Sequence, residues 1–294
     1  MKPANTANSD RCQTPQSDGL VFPILVKVWA GQEPHDFRYI CRSLPSLLQS
    51  DLPDGARVII ADDCSPEPRL QGFLEDCATK FKHVTLWKNP YRMGPNSGHV
   101  YNTRKVVEQF PEAPFYVFCD DDVLYSPGWL KRLIQIYREA QQEGIEGIFT
   151  ALNIPARPAV STFCLPTSEV ILKQRQFALN WLVPKEIYLK VGPFNVTDVA
   201  FDTEYCHRLA QQGFWIVCLK PSYVQNIGLQ GFYQTDNNYD VFYAQDYVGR
   251  IGLRFGLEKW YWCLRRWIDQ VVDRIPLGVA RRMIKAVTMP WRKS

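Results

Sequence analysis

The chain has 294 residues and a formal net charge of +4, and 46% of its residues are hydrophobic and 13% aromatic. This length and apolar content suffice for a folded core, which excludes a chain that is disordered beyond its ends. The charge is mild, and no basic run in the body of the chain is interleaved with stacking aromatics. We therefore expect no nucleic-acid partner.

The cysteines and the amino-terminal sequence indicate the cellular compartment in which we expect the protein. Nine cysteines form an odd set without a CxxC pair, which is typical of free thiols in a reducing environment. The first nineteen residues are polar, and the apolar stretch after them is interrupted by Pro23 and Lys27, so it predicts neither a signal peptide nor a membrane span. We expect residues 1–19 to be a disordered tail and the protein to be cytoplasmic.

The body of the chain alternates between strand-like and helix-compatible segments, which predicts an α/β fold with a mostly parallel, doubly wound sheet and flanking helices. The predicted strands are Val21 to Val28, Arg57 to Ala61, Val84 to Trp87 and Phe115 to Cys119, with helices such as Phe37 to Leu48 and Gln71 to Phe81 between them. In such sheets ligands bind outside the carboxyl ends of the strands, so the polar clusters that follow these strands should converge on one edge.

Further along, Pro127 to Gln142 carries apolar residues on one face and predicts an amphipathic helix that ends near Gly144. From Gly147 to Trp181 the pattern is irregular and rich in Pro, Thr and Phe, which predicts loops over the site and an acceptor-binding surface. A further buried strand is predicted from Phe214 to Leu219.

Three consecutive aspartates, Asp120, Asp121 and Asp122, directly follow the fourth predicted strand. Carboxylates this close raise one another's pKa unless a cation shares the site, and neither Lys nor Arg lies within eight residues on either side. A divalent metal is the natural partner. The alternative is that one aspartate caps the next segment while the others are solvated.

Two other acids, Asp62 and Asp63, end the second predicted strand, and Ser65 follows them. A turn with a cap explains this pattern as well as contact with a nucleotide base, in which a carboxylate accepts from a ring N–H. The segment from Asn89 to Gly98 follows the third strand with two glycines and an arginine, which suits backbone approach to a nucleotide or sugar phosphate. It lacks the spacing of either common glycine-rich phosphate loop.

An acid opens the later predicted helix, which begins with Phe201-Asp202-Thr203-Glu204 and stops at Gly213. Asp202 has the spacing of a helix cap, a role that stabilises by about 1 kcal/mol.

The order of these pieces is more informative than any one of them. A strand with DDxS, a strand with a GxxSG loop, a strand with DDD, and GPF before an acid-led helix together resemble the family 2 glycosyltransferases of the GT-A fold, in the nucleotide-diphospho-sugar transferase superfamily. The resemblance covers about residues 22 to 231. It implies a GT-A catalytic domain, which we place at residues 20–250.

The resemblance also implies roles for single residues. Asp120 and Asp122 would form the D-x-D element that binds Mn²⁺ or Mg²⁺ on the donor diphosphate, since these ions prefer oxygen ligands. Asp202 would be the catalytic base, with Glu204 as the second candidate. Contacts to the nucleotide sugar are expected from Asp62, Asp63, Arg92, Asn96 and Asp121.

The chain departs from this family pattern at Asn226. Similar enzymes often carry a metal-binding histidine in a V-x-H-x-G element, whereas this chain has Val224-Gln225-Asn226-Ile227-Gly228. An amide oxygen coordinates a hard cation only weakly, so Asn226 is expected as a weak metal ligand or as a position replaced by water. The four histidines, His35, His83, His99 and His207, have no spacing that would replace it, and we expect surface or packing roles for them.

The carboxy-terminal sequence is basic and amphipathic. From Arg265 onward eight basic residues face only two acids, among apolar residues and behind Trp260, Tyr261 and Trp262. This pattern predicts a helical extension over residues 251–294 that binds an anionic membrane surface or packs on the domain. The protein would then be peripheral on the cytoplasmic face of a membrane.

The expected function is transfer of a sugar, with inversion, from a nucleotide-diphosphate sugar to a hydroxyl of a glycan or glycolipid acceptor, as in surface polysaccharide or glycolipid synthesis. A sugar nucleotidyltransferase is less consistent with the sequence, because a glycine-rich loop with basic residues is missing from Lys27 to Phe37. The alternative from another class is a noncatalytic GT-A-like module that binds carbohydrate or membrane. Asn226 is consistent with this alternative, because it stands where similar enzymes often have a metal-binding histidine.

Overall fold

The computed structural model describes residues 20–31, 34–154, 159–176, 180–197 and 199–228. The predicted tail at 1–19 and the predicted extension at 251–294 lie outside the described residues, as does the end of the predicted catalytic domain. The two domain boundaries therefore stay predictions.

Strands and helices alternate through the first half of the chain, as predicted. The elements of that half are β1 (Phe22–Val28), α1 (Pro34–Leu48), β2 (Ala56–Asp62), α2 (Pro68–Lys80), β3 (Val84–Lys88), α3 (Pro95–Gln109), β4 (Phe115–Asp120), β5 (Val123–Tyr125) and α4 (Trp129–Gln142). Those of the second half are β6 (Gly147–Thr150), β7 (Ser161–Cys164), β8 (Glu169–Lys173), β9 (Asn180–Pro184), α5 (Lys185–Val191), α6 (Phe201–Gln211), β10 (Trp215–Lys220) and β11 (Val224–Asn226).

Nine of the described strands form one sheet in the order β3-β2-β1-β4-β9-β6-β10-β8-β7, and β11 pairs with β5 in a small second sheet. Seven of these nine strands point the same way, because only β8 and β9 pair antiparallel to the rest. This confirms the prediction of an α/β fold with a largely parallel sheet. The carboxyl ends of β1 to β4 consequently lie along a single edge.

The prediction of loops between Gly147 and Trp181 is wrong where the structure forms strands in that segment. It contains β6, β7 and β8, and β9 begins within it. These strands are only four or five residues long, and β6 and β9 are buried on both faces, so they lack the alternation that marks a longer strand. Pro and Thr at their ends gave the segment its irregular pattern.

The core lies between the sheet and its helices. Ile24, Leu25 and Val26 of β1 are fully buried, and β4 is buried along all but its last residue. Helix α4 packs on this core through the apolar face that was predicted, and Trp129 donates from Nε1 to Ser50 Oγ at 3.0 Å. Burial of each large apolar side chain contributes about 1.5–3 kcal/mol, which fixes the strand ends firmly in place.

None of the described helices is both long enough and apolar enough to cross a bilayer. The seven cysteines in the described part of the chain are free thiols.

Candidate functional site

The polar clusters meet at the carboxyl edge of the sheet, as expected. In the register of β1 with its two neighbours, Val28 lies opposite Asp62 of β2 and Lys27 lies opposite Asp120 of β4. Aligned residues of adjacent parallel strands place their side chains on the same face of a sheet. Lys27 and Asp120 are therefore neighbours, although 93 positions separate them in the sequence.

The acidic triplet, Asp120 to Asp122, is held in a tight connection between β4 and β5. Ile227 N–H donates to the Asp122 carbonyl at 2.7 Å, and the Tyr125 hydroxyl donates to the Asp120 carbonyl at 3.2 Å. Pairing of β5 with β11 brings Asn226 opposite Val123. The backbone of the triplet is thus fixed from both ends, and Asn226 is placed beside it.

Burial makes the triplet electrostatically costly. Burial, then the charges of Asp122 and Asp121, raise the pKa of Asp120 well above its usual range, while Lys27 opposes this rise. Burial and the charge of Asp121 raise the pKa of Asp122 to about 7. A cation bound between these carboxylates would favour their ionised forms and lower both pKa values.

The donor atoms of the triplet fit a hard divalent cation. Asp122 Oδ1 is buried without a hydrogen-bond partner in the described structure, so a ligand position is available there. A Cβ at Gly228 would lie 1.7 Å from Asp122 Oδ2, so only glycine leaves room for this carboxylate. The described residues contain no group of three or more His, Cys, Asp or Glu side chains suited to a metal. Asp120 and Asp122 would therefore share an ion with amide, water or phosphate oxygens.

The Asn226 side chain hydrogen-bonds two protein groups. Its Oδ1 accepts from Gly228 N–H at 2.9 Å, and its side chain also hydrogen-bonds Asp122, which lowers the pKa of that aspartate. The residue thus orients the Asp122 carboxylate and the Gly228 turn. Direct coordination of a metal by Asn226 stays a prediction.

Asp62 and Asp63 are buried and occupied by protein donors. Asp62 Oδ1 accepts from Ser65 N–H and Oγ at 3.1 and 2.6 Å, and its Oδ2 accepts from Gln71 Nε2 at 2.8 Å. This is the turn-and-cap arrangement that the sequence left open. A direct contact of Asp62 with a nucleotide base stays a prediction.

Asp63 anchors the loop that leads into α3. Its Oδ1 accepts from Asn89 Nδ2 at 2.9 Å and Met93 N–H at 3.1 Å, and its Oδ2 accepts from Gly94 N–H at 2.9 Å. Asn96, in the first turn of α3, is partly exposed at the end of this loop. The predicted nucleotide-contacting segment is therefore held by an acid that was itself predicted to contact the nucleotide.

Arg92 and Asp121 meet at Trp29, just beyond β1. The Arg92 guanidinium lies over the Trp29 ring at 3.8 Å from its centroid, a cation–π contact. Asp121 Oδ2 accepts from Trp29 N–H at 3.1 Å. The first strand, the loop and the triplet are thereby joined into one wall of the site.

Asp202 lies in the first turn of α6, at its second residue. The capping position is Ala200, which makes no side-chain cap bond, and Asp202 Oδ1 instead accepts from Thr203 N–H at 2.6 Å. Asp202 thus satisfies one N–H of the first helical turn, so the cap interpretation stays open beside that of a catalytic base. Asp202 is 9% exposed, and its charge is the smallest of the contributions that raise the pKa of Asp120, so the two carboxylates lie within electrostatic range of each other.

Glu204 points into a structural ion pair. Arg208 Nε and Nη2 donate to its two carboxylate oxygens at 2.6 and 2.8 Å, and the same guanidinium donates to the carbonyls of Val191 and Pro193. This pair ties α6 to the GPF turn. The geometry therefore favours Asp202 over Glu204 as the candidate base.

Comparison with known proteins supports the fold. Residues 35–158 match the sequence model of Glycosyl transferase family 2. This part of the chain is therefore similar to that family. No curated protein matches the chain at a significant level.

Solved structures share the fold of this chain at low sequence identity. TarS from S. aureus has a TM-score of 0.52 at 14% identity, over 92% of this chain and 53% of its own. GalNAc-T7, solved with UDP, GalNAc and Mn²⁺, has a TM-score of 0.54 at 12% identity, over 92% of this chain and 55% of its own. TarS 1-349 in complex with UDP-GlcNAc has a TM-score of 0.51 at 14% identity, over 86% of this chain and 80% of its own. These similarities confirm the GT-A fold, and the chain spans about half the length of the first two proteins.

Two side chains at the site, Lys27 and Trp29, were not predicted from the sequence, and a third, His99, was expected only to pack or to lie at the surface. Lys27 was read only as a break in an apolar stretch, and Trp29 had no motif around it. His99 was expected to be a surface or packing residue, and packing is confirmed, since its ring stacks on Phe201 at 4.2 Å beside Asp202. A lysine inside an otherwise buried strand was the one sequence signal that could have identified Lys27.

Proposed function

We propose that this protein is an inverting, metal-dependent glycosyltransferase that moves a sugar from a nucleotide-diphosphate sugar to an acceptor hydroxyl. The observation that carries the proposal is the convergence of Asp202 with Asp120. Asp120 ends a central strand and Asp202 lies in the first turn of a distant helix, yet the charge of Asp202 acts on the Asp120 carboxyl. The family match and the fold support this function.

In the proposed mechanism Asp202 accepts the proton of the acceptor hydroxyl while that oxygen attacks the anomeric carbon of the donor sugar. The new carbon–oxygen bond forms on the face opposite the leaving diphosphate, and the bond from the anomeric carbon to the diphosphate oxygen breaks. Asp120 and Asp122 would hold the Mn²⁺ or Mg²⁺ ion, which would neutralise the charge on the departing diphosphate.

The nucleotide is proposed to bind along the wall formed by Trp29, Arg92 and the loop that Asp63 anchors. The short bonds from Met93 and Gly94 to Asp63 fix this loop before a ligand arrives, which lowers the entropy cost of binding. Arg92, Asn96 and Asp121 are the side chains proposed to contact the nucleotide sugar. Asp62 and Asp63 would act through the loops that they hold.

The donor proposed for the first experiments is a UDP-sugar, because two of the similar structures are described with UDP or UDP-GlcNAc. A glycan or glycolipid acceptor is proposed together with a role in surface polysaccharide or glycolipid synthesis. The basic, tryptophan-containing sequence near the carboxy terminus supports an acceptor at an anionic membrane surface.

Release of nucleoside diphosphate tests the proposal. UDP-, GDP- and dTDP-sugars would be incubated with the protein and Mn²⁺, with and without candidate acceptors. A transferase releases the diphosphate from at least one donor, and the release stops with EDTA and in Asp202→Asn. A noncatalytic module would bind without releasing any diphosphate, and that result would reject the proposal.

A further inference from the structure

Lys27 is a nearly buried cation at the centre of the acidic site. Its side chain is 12% exposed, and its Nζ lies 3.6 Å from Asp63 Oδ2. The strand register also places it directly beside Asp120. A buried ammonium is costly unless it is paired, so its position between acids of two different strands requires a reason.

The surroundings of Lys27 are shaped to admit it. A Cβ at Gly98 would lie 2.7 Å from Lys27 Cε and 3.0 Å from Asp63 Oδ1, so glycine is what allows α3 to approach this closely. His99 follows Gly98, and burial together with the charge of Lys27 lowers the pKa of His99 to about 3. His99 is therefore neutral, and Lys27 supplies the positive charge at this end of α3.

The charge of Lys27 reaches both acidic clusters. It pairs with Asp63, which anchors the proposed nucleotide loop, and it opposes the rise in the pKa of Asp120. Without a cation, the acids at this edge would repel an anionic ligand. Lys27 offsets part of that repulsion whether or not a metal ion is bound.

We propose that Lys27 is a resident counter-ion for the diphosphate of a bound nucleotide, placed between Asp63 and Asp120. This inference rests on the proposed function. It adds a second cation to the site, one that is covalently attached and always present. A nucleoside diphosphate should consequently retain measurable affinity when the metal has been removed, and that residual affinity should depend on Lys27.

The test measures UDP binding by titration calorimetry in Mn²⁺ and in EDTA. Lys27→Met should weaken binding by about tenfold or more in EDTA, because a charge-assisted contact to phosphate is lost. The loss in Mn²⁺ should be several times smaller, because the metal screens the acids. Lys27→Arg keeps the charge in a larger side chain and should lose less UDP affinity in EDTA than Lys27→Met.

Lys190→Met is the matched control. It removes the same charge from a lysine that pairs with Glu146 at 3.2 Å. Glu146 directly precedes β6, which runs in the same direction as β4, so this lysine lies at the opposite edge of the sheet from the acids. UDP binding by the control should equal that of the wild type in both buffers.

Several results would overturn the inference. If Lys27→Met loses as much UDP affinity in Mn²⁺ as in EDTA, Lys27 has a purely structural role. If Lys27→Met binds UDP in EDTA as tightly as the wild type, Lys27 has no role in binding the diphosphate. A wild type that binds UDP in Mn²⁺ but not at all in EDTA would also reject it. If Lys27→Met does not fold, as judged by circular dichroism, Lys27→Gln removes the charge at similar length. A wild type that binds none of UDP, GDP and dTDP in Mn²⁺ would instead reject the proposed function.

Discussion

The two acidic clusters at the carboxyl edge of the sheet look alike in sequence but differ in how their charges are satisfied. Asp62 and Asp63, at the end of β2, accept hydrogen bonds on both oxygens from protein donors. In the triplet after β4, Asp122 Oδ1 has no partner in the described structure, and burial raises the pKa of Asp120 and Asp122. The first pair is thus completed by the protein itself, whereas the triplet requires an added cation.

We therefore expect the first pair to contribute mainly to stability and the triplet mainly to activity. Hydrogen bonds to a buried carboxylate stabilise the fold, whereas buried carboxylates that repel one another destabilise it until a ligand arrives. Substitutions in the first pair should therefore reduce stability more than activity. Substitutions around the triplet should reduce activity and can increase stability.

The largest expected effect lies at Asp202, the acid that joins the triplet from α6. Asp202→Asn should lower turnover by roughly 10² to 10⁴ and leave donor binding nearly unchanged, since a proton acceptor is lost but no donor contact is. Steady-state rates and UDP titration measure the two quantities. Glu204→Gln is the control, because it breaks the ion pair with Arg208 and should cost about 1 kcal/mol of stability while turnover stays within a few-fold. A larger loss of turnover in Glu204→Gln would move the base to that residue.

The sequence predicts some parts of this site and not others. The triplet, Asp62 and Asp63 could be located because strand runs and acidic clusters are local patterns. Lys27 could not be assigned, because Asp63, its ion-pair partner, and Asp120, its neighbour in the strand register, are brought beside it only by strand pairing. The short strands between Gly147 and Trp181 were missed because runs of four or five buried residues carry no distinct period.

Asp122→Asn should have the next largest effect. The variant should bind Mn²⁺ at least about tenfold more weakly, because it removes a charged oxygen ligand. In EDTA it should be more stable than the wild type by about 1 kcal/mol or more, because a buried and repelled charge has gone. Manganese EPR and urea unfolding measure these effects. Asp51→Asn, in an exposed pair with Lys131, is the control that should leave both unchanged. A variant less stable than the wild type in EDTA would contradict the comparison.

Gly228→Ala tests the space around the triplet without changing a charge. The added methyl group would collide with Asp122 Oδ2, so the carboxylate should move and Mn²⁺ affinity should fall by several-fold. Gly213→Ala is the control, since a Cβ there meets nothing and only the positive φ of 79° is strained. It should cost about 1 kcal/mol of stability with no change in Mn²⁺ affinity. Equal Mn²⁺ affinities in Gly228→Ala and the wild type would refute the crowding argument.

The pH dependence of stability gives a smaller effect with a defined sign. Asp122 has a pKa of about 7 in the folded protein against 3.8 as its ordinary value, so the folded state binds this proton more tightly than the unfolded chain. Stability should be greatest below pH 4 for this group and fall as the pH rises through 7. In EDTA the wild type should therefore lose on the order of 2 kcal/mol relative to Asp122→Asn between pH 5 and 7.5. Urea unfolding at the two pH values measures the difference, and the absence of any difference would exclude a raised pKa.

Asp62→Asn should have the smallest effect on function. It tests the expectation that the pair after β2, unlike the triplet, serves mainly stability. An amide keeps one acceptor oxygen for Ser65 but loses the charge that strengthens three hydrogen bonds, so the free energy of unfolding should fall by about 1 kcal/mol. Because this carboxylate is occupied by Ser65 and Gln71, UDP affinity and turnover should change less than about threefold. A loss of UDP affinity of tenfold or more, with stability unchanged, would instead show that Asp62 contacts the nucleotide. The pair after β2 would then belong to the ligand-binding surface as directly as the triplet does.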